Sequence, residues 1–140
     1  MAITIRRTHD GKDMLVPYPL DHEIVRPTLN EWTRVEPACA EPYYWLNGYA
    51  NLKRALELDS KHEPARKKLI WWILNDVDFA THESPTGFIG DPIASMRALE
   101  EAETLMGGLA NSHSKAELAD WMKEQRSLVD GYLRSRHEGA

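Results

Sequence analysis

From Tyr43 to His82 the chain reads almost without interruption as helix, and it holds Tyr43, Tyr44, Trp45, Tyr49, Trp71, Trp72 and Phe79. The one break is Leu58-Asp59-Ser60-Lys61. Two helices joined by a turn cannot cover that much aromatic surface alone. The segment therefore predicts a helix–turn–helix pair packed inside a larger helical body.

The other helices are marked by their ends. Thr28-x-x-Glu31 after Pro27 reads as a capping box opening a short helix through Trp32 that stops before Pro37. Pro42, in a first turn, opens a helix to about Leu58, and Trp45, Tyr49, Leu52 and Leu56 recur on one face of it. Ser60-x-x-Glu63 opens the next helix, to about His82, with Leu69, Ile70, Ile73, Val77 and Ala80 inward and Trp72 and Phe79 widening that face. Asp91-Pro92 pairs an N-cap acid with a proline where no amide hydrogen is needed. That helix turns Ile93, Met96, Leu99, Ala102 and Met106 inward and stops at Gly107-Gly108. Ser114-x-x-Glu117 caps the last helix, with the stripe Leu118, Trp121, Gln125, Leu128 and Tyr132.

The first twenty residues follow another rhythm. Ile3 and Ile5 alternate with Thr4 and Arg6, Asp10-Gly11 offers a tight turn, and Met14 to Tyr18 forms a second β-prone run. Pro17 and Pro19 suit an edge strand only. The expected fold is mainly α: a five-helix helical-hairpin domain, body 28–136, with an N-terminal β-hairpin over 1–20. A chain of 140 residues fits a single domain, 1–140, able to bury about 70% of its unfolded surface.

A net charge of −5 argues against a nucleic-acid binder, since neutralising phosphates needs a basic surface, and it mildly favours a basic protein partner. Cys39 is the only cysteine, so no intrachain disulfide forms. The N-terminus turns polar too early for a signal peptide, and no apolar run reaches the roughly 18 residues of a membrane span. These features point to a cytoplasmic, soluble protein with no membrane association.

Gly48, Leu52, Ala55 and Asp59-Ser60 stand at the small, large-apolar, alanine and turn positions of a helix pair. In this they resemble the second helix of a tetratricopeptide repeat, with Ser60 where proline is usual, and Glu63 to Leu69 is similar to the start of a following repeat. The resemblance spans about residues 48–69, and no second copy at the family's period of about 34 residues is evident. It implies a protein-binding surface rather than catalysis.

The candidate site lies on the helix after the turn. Trp71, Asn75, Asp78 and His82 form a column spaced four, three and four. Asp78 and His82 can meet as an i,i+4 pair, either as a carboxylate–imidazole site for a base or metal or as a surface pair near a helix end. With Tyr44 and Phe88 these four residues make the expected binding surface, and Asp78 and His82 are the metal candidates. No cofactor motif is present. Gly87-x-x-Gly90 lacks the lysine of a phosphate loop, and Thr86 replaces the second histidine of a metalloprotease pattern. Phe88 and Ile89 are expected to plug a gap between helices. Lys61, Arg66, Lys67 and Lys68, and Glu100, Glu101 and Glu103, read as two solvated faces of opposite sign.

Two functional readings follow. The preferred one is a small protein-interaction module, an adaptor or an immunity-type masking protein for a basic partner, able to form a homodimer. The alternative is a ligand- or metal-binding helical enzyme with an interhelical pocket near Asp78 and His82.

Overall fold

In a computed structural model the described residues are 4–6, 13–15, 18–84 and 86–138, and the fold they show is mainly helical. Thr4–Arg6 (β1) and Asp13–Leu15 (β2) run antiparallel with Ile5 opposite Met14. The Asp10-Gly11 turn and Pro17 lie outside the described residues, and the hairpin as a whole is not shown. The helices are α1 (Tyr18–Leu20), α2 (Arg26–Val35), α3 (Glu41–Leu46), α4 (Tyr49–Leu58), α5 (Glu63–Ala80), α6 (Pro92–Met106) and α7 (His113–Glu138). The chain falls into two compact units, Met1–Ala65 and Arg66–Ala140.

In the first unit, α1 continues through a wide π-type turn, Asp21–Val25, directly into α2. This corrects the capping box at Thr28. The chain is already helical there, so the Thr28 hydroxyl donates back to the Ile24 carbonyl at 2.6 Å instead of capping. Pro27 has no amide hydrogen to give to the preceding turn, and the wide turn lies on its N-terminal side. Glu31 is free to pair with Arg34. The helix ends as Glu36 donates to the Trp32 carbonyl, one residue before Pro37.

The single helix expected from Pro42 to Leu58 is two helices. Asn47 (φ 66°) and Gly48 (φ 88°) take positive φ and break it, so the five expected helices become six of six residues or more among the described residues. The break takes Trp45 and Tyr49 out of the expected stripe: each is 44% exposed, while Leu52 and Ala55 are buried. α2 packs on α3 and α3 on α4 around Ala40, Pro42, Leu46, Leu52 and Ala55. The turn after α4 falls where the sequence places it, with Asp59 extended as its C-cap, but α5 begins only at Glu63, so Ser60 lies in the turn and does not cap that helix.

In the second unit the core face of α5 is as expected. Leu69, Ile70, Ile73, Val77 and Ala80 are buried, and Leu74 joins them. Phe79 does not widen that face. It follows Val77 by two residues, about 200° round the helix, and is 66% exposed. Arg66 and Lys68 also leave the expected solvated face. Lys68 is buried, and Arg66 Nη1 donates to the Leu105 carbonyl at 3.3 Å.

α6 packs on α7. Leu99, Ala102 and Met106 are buried as expected, whereas Ile93, in the first turn of α6, is exposed. Asp91 caps α6 as predicted, its Oδ1 accepting from the Ile93 amide at 3.0 Å. α7 starts one residue ahead of Ser114, and Ser112 Oγ accepts from the Lys115 amide at 3.1 Å. Ser112 is therefore the cap. On α7, Leu118, Gln125 and Val129 are buried, with Trp121, Leu128 and Tyr132 half-buried beside them. Each buried leucine contributes roughly 1.5–3 kcal/mol through the surface it removes from water.

Candidate functional site

The polar column on α5 is only partly assembled. Trp71 is half-buried and meets Trp121 of α7 edge-on, ring centroids 6.5 Å apart, with Trp72 edge-on to its other side at 6.0 Å. The indole N–H of Trp121 donates to Asp78 Oδ2 at 3.2 Å. Asn75 is exposed on the turn between Trp71 and Asp78. Trp71, Asn75, Asp78 and Trp121 thus share one face.

His82 does not join them. α5 ends at Ala80, and Thr81 is buried in the turn with its hydroxyl on Gln125, so the i,i+4 geometry stops short of His82. His82 is exposed past the helix end, and the Asp78 carboxylate is engaged by an indole instead. Among the described residues, no group of three His, Cys, Asp or Glu side chains is placed to hold a metal.

Phe88 also stands apart from this face. It stacks on Tyr132 of α7 at 5.0 Å, and the Arg136 guanidinium lies 5.9 Å from the centroid of the Tyr132 ring. Eleven residues of helix, roughly 16 Å, separate Tyr132 from Trp121. Phe88 therefore packs on α7. Ile89 remains exposed, although its amide donates to the Ala80 carbonyl at 2.9 Å and ties the loop to the end of α5.

The charges about the face are mixed, with carboxylates in the majority: Lys67 and Lys68 precede Trp71 by four and three residues, and exposed Lys123 follows Trp121 by two. Asp76, Asp78, Phe79 and Glu83 are exposed along α5 and its end. On α7, Glu117 and Glu124 flank Trp121 at four residues before and three after, the spacing that shares a helix side, and Asp120 is exposed next to it. Glu117 pairs with His113 at 2.9 Å. The indole pair thus has Asp78, Glu117 and Glu124 on its side of the two helices.

Tyr44 lies in the first unit, in a cluster that the sequence reading missed. Its ring is 5.1 Å from those of Trp45 and His62. His62 Nε2 is 2.9 Å from Glu41 Oε2, and Glu41 Oε1 accepts the Trp45 indole N–H at 3.0 Å. His62 Nδ1 accepts the Ala65 amide at 3.1 Å. With both ring nitrogens engaged, the pair holds structure and leaves no lone pair for a general base. The legible signal was the position of His62, immediately before Glu63-Pro64, where a helix start needs a cap. Glu41, twenty-one residues earlier, gave none.

The resolved shifts in acidity all lie away from these two clusters. Arg34 holds the Glu31 carboxyl below the usual carboxylate range, and Glu31 raises Arg34 in turn. Glu57, and after it Tyr43, raises Arg54. No helix among the described residues is long and apolar enough to cross a membrane. Comparison of the chain with protein-family models, with curated proteins and with solved structures finds no match in any of the three.

Proposed function

We propose that the protein is a protein-interaction module of the adaptor or masking kind, which engages a basic segment of its partner through the Trp71–Trp121–Asp78 face. One observation supports this reading: both indoles are half in water, in edge-on contact with each other, and one of them donates to the exposed Asp78 carboxylate, with Glu117 and Glu124 exposed at helical spacing from Trp121. Tryptophan contributes most to binding when a partner completes its burial, and acidic rims steer basic partners from a distance. The exposed Phe79 extends the apolar part of the surface.

The same reading takes in the N-terminal hairpin over 1–20, the tetratricopeptide-like pair at 48–69, a cytoplasmic setting and a homodimer. The turn between α4 and α5 supports the helix pair. Sedimentation at two concentrations tests the homodimer, which is rejected by a single monomeric species at both.

The test of the face is a titration of isotope-labelled protein with a lysine/arginine-rich peptide and an acidic peptide of equal length. The indole N–H signals of Trp71, Trp72 and Trp121 are followed. The basic peptide is expected to move the Trp71 and Trp121 signals, less so at high salt, and the response is expected to weaken in Asp78→Asn. Indole signals that respond equally to both peptides, or to neither, reject the reading.

A further inference from the structure

His62 is 11% exposed at the side chain and sits immediately before the first residue of α5. An amide N–H can only donate, so the 3.1 Å bond from Ala65 requires a lone pair on His62 Nδ1. The single proton of the neutral ring is then on Nε2, which donates it to Glu41 Oε2 at 2.9 Å. The imidazole thus does the work of an N-cap oxygen, accepting from the third residue of the helix.

We propose that His62 is a proton-sensitive cap of α5. A second proton has to go on Nδ1, the atom that accepts the Ala65 amide. Two donors then face each other and the cap is lost, while Nε2–H keeps Glu41 as an ion-pair partner. The added positive charge also stands at the end of the helix where the peptide dipoles oppose it. Acidification therefore releases the ring from the first turn of α5 and leaves it held by Glu41 of α3.

The surrounding charges divide over the outcome. Glu41 from α3 favours the charged ring, as do Asp59 in the turn and Glu63 at the helix start. Lys61 opposes it, and the Tyr44 ring, 5.1 Å away, is the remaining titratable neighbour from α3. The Asp59 carboxylate already accepts the Lys61 amide at 3.0 Å, and the His62 amide donates to the Asp59 carbonyl at 3.1 Å. These bonds hold the turn in place while the ring releases the Ala65 amide.

Two measurements test the device on the full chain. Long-range nitrogen–proton correlation of the His62 ring at about pH 8 is expected to show the Nε2–H tautomer. The hydrogen-exchange protection factor of the Ala65 amide, referred to that of Leu74 within α5, is expected to fall about fivefold from pH 8 to pH 5, the span over which imidazoles ordinarily change charge. In His62→Asn, whose amide oxygen caps without titrating, the Ala65 ratio is expected to stay flat. An Nδ1–H tautomer in the wild type overturns the proposal, and so does an Ala65 ratio with the same pH profile in wild type and His62→Asn.

Discussion

The Thr81 hydroxyl donates to Gln125 Oε1 at 2.6 Å, and the two residues, 4% and 2% exposed, are the buried polar link between the end of α5 and the middle of α7. Neither group has water to fall back on. Thr81→Val is expected to leave the Gln125 amide unpaired and to cost about 1–3 kcal/mol. Gln125→Leu leaves the hydroxyl the Asp78 carbonyl, 3.2 Å away, as acceptor, so its loss is expected to be the smaller. Denaturant unfolding of the two single variants and the double variant is expected to give a double loss clearly smaller than the sum. Strict additivity would mean that the bond contributes nothing.

Gly108 makes room for Arg66. A Cβ at Gly108 would stand 2.6 Å from the Arg66 Cζ, so Gly108→Ala has to displace the guanidinium from the Leu105 carbonyl. The colliding group is the end of a long side chain, which can move, so the loss is that of the hydrogen bond, about 1 kcal/mol. The same substitution in an Arg66→Ala background is expected to cost much less. Equal losses in the two backgrounds would disprove the link.

Gly48 and Gly131 predict opposite signs for the same substitution. A Cβ meets nothing within 4 Å at either position, so only the backbone differs. Gly48 has φ 88° and ψ 159°, a conformation that side-chain-bearing residues almost never adopt, and Gly48→Ala is expected to destabilise by about 1–3 kcal/mol. Gly131 is an exposed position inside α7, where alanine is the better helix former, and Gly131→Ala is expected to stabilise by about 0.5–1 kcal/mol. Thermal unfolding of both variants checks the pair.

Glu31 and Arg34 give a pH dependence of known sign. The arginine lowers the glutamate's folded value, so their contribution is present above the unfolded carboxylate value and is lost as pH falls through the lowered one. Both side chains are exposed, so the effect on stability is small and salt-sensitive. Carboxyl titration by NMR is expected to show Glu31 below an ordinary glutamate, and Arg34→Gln to return it to the ordinary range. A Glu31 titration unchanged by Arg34→Gln would refute the assignment.

Particular residues show how far the chain could be read. The inward faces of α5 and α6 were legible because burial repeats with the helix: Leu69, Ile73, Val77 and Leu99, Ala102, Met106 all lie inside. The Asp91 cap was legible because its chemistry is local to Asp91-Pro92-Ile93. Thr28, Ser60 and Ser114 misled for the converse reason. A capping box names residues able to cap, but the backbone on their N-terminal side decides whether a helix begins there, and it was already helical at Thr28. Trp45 and Tyr49 misled because apolar spacing continued across a break that only the positive φ at Asn47 and Gly48 reveals.

The candidate face divides in the same way. Trp71, Asn75 and Asp78 could be grouped from spacing on one helix, and His82 belonged with them only if α5 ran one turn further. The residue that gives the face its chemistry, Trp121, lies forty-three positions from Asp78. By itself the sequence determined which residues sit within a turn of one another, because helix geometry relates neighbours by a constant rotation. Only the tertiary structure decided which helices meet, and with them Trp121 on Asp78, Gln125 on Thr81 and Glu41 on His62. Those contacts arise from packing between distant segments, and no local periodicity records it.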